Sequence, residues 1–128
     1  MKIEHFALNV SHPQAISDWY EKNLGFKVVR KMDKSPYMTF LADDSGKIMV
    51  ELYHNPKASV LDFQQLDPLM LHLALVSEDP DADKERLVGK GAELISDDTL
   101  EDGSRLIMLR DPWGLCLQLC KRAKPMLK

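Results

Sequence analysis

Hydrophobic and polar residues alternate along this chain in short runs, and each run of this kind predicts a β-strand. The runs fall into two groups of four. In each group, one helical segment separates the first strand from the other three. The predicted strands span residues 3–10, 26–32, 37–42, 47–53, 69–77, 92–96, 104–110 and 115–121. The order βαβββ is therefore predicted twice.

Each helical segment lies between residues that commonly start and stop helices. In the first, Ser11 is a candidate N-cap, Pro13 suits the first turn and Gly25 ends the helix. In the second, residues 79–80 (Asp-Pro) predict the start and Gly89 the end. The second segment is only weakly amphipathic, so its pattern supports a helix less strongly than that of the first.

The pattern predicts an α+β fold of two tandem βαβββ modules in a single domain, residues 1–128. Module 1 covers about residues 1–56, a linker about 57–68, and module 2 about 69–122. A chain of this length buries roughly two-thirds of its unfolded surface and needs no disulfide bonds to fold.

The composition of the chain limits the classes of partner that we expect it to bind. The chain is 45% hydrophobic and 29% charged, with a formal net charge of −3, which gives no long-range attraction to nucleic acid or to an anionic membrane. No apolar run approaches the roughly 18 residues of a membrane helix, and we expect no signal peptide. Cys116 and Cys120 lie on one predicted strand, roughly 13 Å apart, too far for a disulfide. Free thiols favour the cytoplasm.

Four side chains that can bind a metal occupy matching places in the two modules. Glu51 follows His5 by 46 positions, and Gln118 follows His72 by 46 positions. Because side chains alternate along a strand, each of the four is predicted on the face opposite the aliphatic residues. Buried polar groups need partners, and a metal ion would serve all four. The competing interpretation is that each is an ordinary strand residue.

The same predicted face carries further side chains that could line a pocket for a small molecule. They are Met49, Tyr53, Met70, Cys116 and Cys120. Ordinary packing of the sheet explains these residues equally well.

The chain resembles the vicinal oxygen chelate superfamily, also called the glyoxalase/bleomycin resistance/extradiol dioxygenase superfamily. The resemblance rests on the paired βαβββ order, on His5 in the first strand, on residues 19–20 (Trp-Tyr) and 24–26 (Leu-Gly-Phe), and on residues 111–114 (Asp-Pro-Trp-Gly). It implies a cupped mixed sheet with helices on its outer face, and a homodimer.

The resemblance also implies one divalent metal ion. Its ligands would be His5, Glu51, His72 and Gln118, and the ion would be Zn²⁺ or Ni²⁺, with Fe or Mn as further options.

Among the superfamily's enzymes, the length and ligand order are most similar to those of glyoxalase I. Asn55 matches an asparagine of the bacterial enzymes. Two positions depart from the pattern: Gln118 stands where those enzymes usually have Glu, and Asn9 where glutathione-using members often have Arg. Both asparagines are candidate pocket residues. Glu51 is then the one ligand that can accept a proton, and we expect it to be the catalytic base.

The resulting prediction is a metal-dependent glyoxalase-like lyase or isomerase. It would act on a small oxygenated substrate through a metal-stabilised enediolate. The main alternative is a non-catalytic protein that binds and sequesters a small molecule such as a drug. An acyl-CoA epimerase and an extradiol-type dioxygenase are further alternatives.

Overall fold

The structure, a computed structural model, describes residues 1–127 and divides into two compact units, Met1–Leu61 and a second that begins at Asp62. The first unit contains β1 (His5–Asn9), α1 (Pro13–Leu24), β2 (Lys27–Lys31), β3 (Thr39–Ala42) and β4 (Met49–Tyr53). The second contains a 3-10 helix (Phe63–Gln65), β5 (Leu73–Val76), α2 (Pro80–Val88), β6 (Glu93–Thr99), β7 (Arg105–Arg110) and β8 (Cys116–Lys121). The predicted α+β class with two βαβββ modules is confirmed.

The first unit is a four-stranded mixed sheet with one helix packed on one face. The strand order is β1-β4-β3-β2, with β1 parallel to β4 and the other pairs antiparallel. Alternation along the strands buries Leu41, Val50 and Leu52 on one face, where α1 contributes Ile16 and Tyr20. Burial of each such side chain contributes about 1.5–3 kcal/mol. This aliphatic face fixes which residues lie on the other face.

The second unit repeats the arrangement with the order β5-β8-β7-β6, and β5 is parallel to β8. Ile107, Leu109, Leu117 and Leu119 are buried on its strands, and α2 contributes Leu87. Among residues 1–127, no helix is both long enough and apolar enough to cross a membrane.

The start of α2 was predicted correctly. In α1 the place of Pro13 in the first turn was also predicted correctly, but the N-cap was not. The Asp79 carboxylate accepts a hydrogen bond from the Ala82 amide at 3.1 Å, as an N-cap should. In α1 the N-cap is His12, without a side-chain capping bond, so the prediction of Ser11 was wrong. The reason is that Pro13 is the first helical residue, and the Ser11 hydroxyl contacts His12 Nδ1 instead, at 2.8 Å.

The fifth strand is shorter than predicted, since residues 69–72 lie outside it. The chain turns there: the Met70 amide donates to the Asp67 carbonyl at 2.9 Å, and the Leu69 amide donates to the Asp67 carboxylate at 2.8 Å. Pro68 has no amide hydrogen for a strand ladder. Met70 therefore lies in a turn, and His72 directly precedes β5.

A cluster of charges ties α2 to β6 and β7. The Arg105 guanidinium on β7 lies between Asp81 of α2, at 2.9 Å, and Asp97 of β6, at 2.7 Å. Lys84 also contacts Asp97, at 2.8 Å. The hydrogen bonds from Lys84 and then from Arg105 hold the pKa of the Asp97 carboxyl below its usual value of 3.8.

We expect this cluster to contribute to the free energy of unfolding, and we expect that contribution to disappear in acid. Because the pKa of Asp97 is lowered on folding, the contribution is complete above the unfolded value of about 3.9 and is lost as the pH falls through the folded value. In thermal melts between about pH 5 and about pH 3, Asp97→Asn should therefore lose less stability than the parent protein. Asp98→Asn, on the adjacent residue, is the control; identical pH profiles for all three proteins would contradict the prediction.

Candidate functional site

In the first unit, strand register brings His5 and Glu51 to one face of the sheet. The strands β1 and β4 pair in parallel, with His5 beside Met49 and Ala7 beside Glu51. Directly paired residues point to the same side, and Val50 and Leu52 alternate to the buried side. His5 and Glu51 therefore face away from α1, as predicted.

The His5 ring lies between two carboxylates. Its Nδ1 is 3.0 Å from Glu4 Oε1, and its Nε2 is 3.6 Å from Glu51 Oε1. A carboxylate only accepts hydrogen bonds, so Nδ1 carries the hydrogen in this contact, and in the neutral ring Nε2 presents a lone pair. The atom 3.6 Å from Nε2, Glu51 Oε1, is also an acceptor. A cation between the two atoms, either a proton or a metal ion, would satisfy both.

The neighbouring strand supplies an aromatic wall. Phe40 on β3 pairs with Glu51, so it lies on the same face. Its ring meets the His5 ring edge to face, with centroids 5.3 Å apart and an interplanar angle of 84°. The Glu51 side chain is 16% exposed and that of His5 is 35% exposed. Glu51 is therefore partly withdrawn from water, but reachable.

In the second unit, the His72 ring resembles that of His5 in that its Nδ1 contacts an acceptor, here a backbone carbonyl. Its Nδ1 is 2.8 Å from the Pro68 carbonyl, which can only accept, so Nδ1 carries the hydrogen and Nε2 is free to bind a ligand. The Arg110 guanidinium holds the chain segment that precedes His72, because it donates to the carbonyls of Phe63 (2.7 Å) and Leu66 (2.8 Å). His72 itself is exposed.

Gln118 lies on β8 beside Ala74 of β5, and alternation along β8 places it on the face opposite the buried Leu117 and Leu119. Its carbonyl oxygen accepts a bond from the Cys120 thiol at 3.2 Å. Burial raises the pKa values of the Cys116 and Cys120 thiols, so both stay protonated at neutral pH. Both cysteines are free, as predicted.

The donor atoms in each unit are of types that bind a divalent ion. Two imidazole nitrogens, a carboxylate and an amide oxygen are all known ligand types for first-row metals. Ligand atoms on one tetrahedral zinc lie roughly 3.4 Å apart, and the His5–Glu51 separation is 3.6 Å. Within the described part of the chain, no three His, Cys, Asp or Glu side chains are grouped for metal binding. In the first unit, His5 and Glu51 do form a pair of donors, 3.6 Å apart.

The predicted pocket residues have varied surroundings. Met49 lines a cavity of about 240 Å³ in the first unit, and Tyr53 is half-buried on the same face. Cys116 and Cys120 are buried, whereas Met70 is exposed in its turn and does not share the strand face that was predicted for it.

Asn9 and Asn55 hold the loop that follows β4. The Asn9 amide nitrogen donates to the carbonyls of Asn55, Ala58 and Ser59, at 3.0–3.3 Å, and its oxygen accepts from the Asn55 amide at 2.7 Å. The Asn55 side chain accepts from the Lys57 amide. The polar side-chain atoms of Asn9 and the side-chain oxygen of Asn55 are thus already engaged within the unit, and a role in substrate binding stays a prediction.

Sequence reasoning missed Glu4, Phe40 and Arg110. The position of Glu4 directly before a candidate ligand was a usable signal for the first. Phe40 required the β3–β4 register, and Arg110 required the path of the chain between residues 62 and 72. These two depend on long-range contacts that strand alternation does not reveal.

Several solved structures have a similar fold. Antibiotic-binding protein TnmS3 from Streptomyces sp. CB03234 is similar, with a TM-score of 0.72 and 21% identity over 94% of each chain. SMU.1112c has a TM-score of 0.71 and 25% identity over 94% of this chain and 98% of its own. Lactoylglutathione lyase from Agrobacterium tumefaciens has a TM-score of 0.68 and 19% identity over 92% of this chain and 91% of its own.

No curated protein matches the sequence. A family model does: the Glyoxalase/Bleomycin resistance protein/Dioxygenase superfamily matches residues 2–119. That match covers nearly the whole chain and includes all four predicted ligand positions. The protein therefore belongs to the glyoxalase/bleomycin resistance protein/dioxygenase superfamily.

Proposed function

We propose that the protein is a metal-dependent lyase or isomerase that moves a proton on a small oxygenated substrate. The observation that carries the proposal is the His5–Glu51 pair, in which His5 Nε2 and Glu51 Oε1, both acceptors when the ring is neutral, lie 3.6 Å apart. The ligands would be His5, Glu51, His72 and Gln118, and the ion Zn²⁺ or Ni²⁺. When bound, the ion would supply Lewis acidity toward a substrate oxygen.

Glu51 is the group proposed to move the proton. It is the one carboxylate in the proposed ligand set, since Gln118 cannot accept a proton at neutral pH. Phe40 is paired with Glu51 across β3 and β4 and its ring contacts His5, and the Glu51 side chain is only 16% exposed, which favours proton transfer within the site. Glu51 therefore takes the proton from the hydroxyl-bearing carbon next to the substrate carbonyl and returns it to the former carbonyl carbon. The hydroxyl proton passes to the former carbonyl oxygen, so the hydroxyl and the carbonyl exchange places.

The first test is metal binding. Elemental analysis and calorimetry of the protein reconstituted with Zn²⁺ or Ni²⁺ should give one ion per chain, and His72→Ala should lower the affinity at least tenfold, roughly the minimum expected for loss of one ligand. His12→Ala, which removes an imidazole outside the proposed set, is the control. Far less than one ion per chain, or unchanged binding by His72→Ala, would contradict the proposed site.

Glu4 should strengthen the metal site without being a ligand. A carboxylate that accepts a hydrogen bond from the distal nitrogen of a metal-binding histidine orients the ring and raises its basicity. Glu4 makes this contact to His5 at 3.0 Å, and its charge offsets the one that Gln118 lacks. We expect Glu4→Gln to weaken metal binding about tenfold, measured by calorimetry.

The control for Glu4 is Asp18→Asn, which removes an exposed negative charge from α1 of the same unit. If both variants weaken binding equally, the effect is one of net charge, and the orienting role of Glu4 is rejected. A ¹⁵N NMR measurement of the His5 tautomer in the metal-free protein gives a second readout, because Glu4→Gln should reduce the Nδ1–H form.

The second candidate is a binding protein without turnover, favoured by the structural likeness to an antibiotic-binding protein. The ungrouped donors also suit this candidate. Assays with methylglyoxal plus glutathione, and separately with an acyl-CoA epimer, discriminate between the two. Turnover of either compound supports the lyase or isomerase, whereas metal-independent binding of small molecules without turnover supports the alternative.

A further inference from the structure

A row of paired residues crosses the first sheet and ends at an arginine. Glu51 on β4 pairs with Phe40 on β3, and Phe40 pairs with Arg30 on β2. Residues paired in this way project from the same face. Arg30 therefore shares the face of His5 and Glu51, and its Cα lies about 10 Å from that of Glu51, two strand spacings away.

A β-bulge turns Arg30 toward that face. Val28 pairs with Leu41, whose side chain is fully buried on the helix side. Strict alternation would place Arg30, two residues later, on the helix side as well. The register shifts between Val28 and Arg30, so that Arg30 pairs with Phe40 instead. Bulges commonly redirect a side chain next to a functional site.

The second unit has the same bulge but no cation at the matching place. The register of β6 shifts between Leu94 and Ser96, and Ser96 pairs with Met108 as Arg30 pairs with Phe40. The bulge is therefore a common feature of both units, and the guanidinium is particular to the first.

A cavity lies beside this row. Its volume is about 240 Å³, and it is lined by Glu4, Val29, Arg30, Phe40 and Met49. Binding sites for drug-sized molecules are commonly 300–1,000 Å³ in volume, so this cavity suits a part of such a molecule or a substrate of a few carbons. Within the described residues, the Arg30 guanidinium has no hydrogen-bond or ion-pair partner, whereas Glu4 contacts His5.

We propose that Arg30 binds the anionic group, a carboxylate or a phosphate, of a small substrate whose oxygenated end lies at His5 and Glu51. This inference rests on the proposed function, which makes the His5–Glu51 face the substrate face. The guanidinium offers paired donors that match either anion. The separation from Glu51 requires that the anionic group and the reacting carbons belong to one short molecule.

The test uses two pairs of probes that differ in one anionic group. Dihydroxyacetone phosphate is compared with dihydroxyacetone, and malate with 2-hydroxybutyrate, by calorimetry on metal-loaded and on metal-stripped protein. The parent protein should bind the more anionic member of at least one pair about tenfold more tightly or better, as expected for a charge-assisted pair. Arg30→Gln should remove this preference.

Lys31→Gln is the matched control, since it removes the same charge from the adjacent residue. Lys31 pairs with Thr39, which is buried on the opposite face, so its side chain projects away from the cavity. Equal affinities within both pairs, a preference that survives in Arg30→Gln, or an equal loss in Lys31→Gln would each overturn the proposal. A preference in one pair alone identifies the anion as phosphate or as carboxylate.

The two proposals fail separately. An Arg30-dependent preference in a protein that binds no metal supports the anion site and contradicts the metal-dependent lyase or isomerase. One bound metal ion per chain without the preference supports the metal site and overturns the role of Arg30.

Discussion

Glu51→Gln should keep the fold and lower the rate of substrate proton exchange by about 10²- to 10⁴-fold, the usual contribution of a general base. Gln is nearly isosteric with Glu and can still offer a carbonyl oxygen to a metal, but it cannot accept the proton. The measurement is loss of the substrate C–H signal in D₂O by ¹H NMR, together with turnover of methylglyoxal plus glutathione and of an acyl-CoA epimer. Saturating metal keeps reduced metal affinity from accounting for the loss.

The control for this experiment is Glu21→Gln, which makes the same change on an exposed residue of α1. It should have the parent rate. A Glu51→Gln variant that exchanges protons as fast as the parent protein would exclude Glu51 as the base. If the parent protein itself exchanges no protons while it binds metal, the binding protein becomes the better hypothesis.

The proposed roles of the two units differ because Glu51 and Gln118 differ. Both occupy the middle of the last strand of a unit, paired to the first strand in parallel. Glu51 faces an imidazole nitrogen, whereas the Gln118 oxygen accepts a bond from a thiol. The carboxylate proposed as the base therefore lies in the first unit, as do the Arg30 guanidinium and the cavity beside it.

Strand alternation was sufficient to predict the strands and the faces of the central ones. Val50 and Leu52 are buried and Glu51 is not, as their alternation requires. The Asp79 cap was also predictable, because an Asp-Pro pair before a helical segment satisfies a free backbone amide and supplies a fitting first residue.

Strand alternation does not contain the contacts that set the turn before β5 or the bulge on β2. The turn before β5 depends on Pro68 and on the hydrogen bonds from Arg110 to the preceding segment. The apolar run that begins at residue 69 is therefore a strand only from residue 73 onward. The bulge at Val29 changes the face of Arg30, and alternation alone would have placed that side chain against the helix.

Membership of the superfamily leaves the chemistry to individual residues. Proteins with this fold include one described as antibiotic-binding and one described as a lactoylglutathione lyase, both at about 20% identity to this chain. A shared fold does not imply a shared reaction. What distinguishes the candidates here is whether His5 and Glu51 hold a metal and move a proton.

Gly114→Ala should destabilise the protein by about 3 kcal/mol or more, the combined effect of backbone strain and overpacking. Gly114 has φ of +99°, a value that favours glycine, and a Cβ there would lie 2.6 Å from the backbone nitrogen of Gln64. Neither the segment at Gly114 nor the segment at Gln64 can move easily, because the Arg110 guanidinium donates to the carbonyls of both Gly114 and Phe63. Thermal denaturation should show a fall of about 10 °C in Tm.

Gly103→Ala separates the two causes of that loss. Gly103 has φ of +90°, but a Cβ there would meet no atom within 4 Å. It therefore measures backbone strain alone, about 1–3 kcal/mol. The excess loss in Gly114→Ala then reports the close approach of the segment at Gln64 to the turn before β8. Because the same segment leads to Pro68 and His72, Gly114→Ala should also disturb the Nδ1–H form of His72 in ¹⁵N NMR spectra, whereas Gly103→Ala should not. Equal losses of stability in the two variants would show that this contact can relax, and that Arg110 does not hold the segment rigidly.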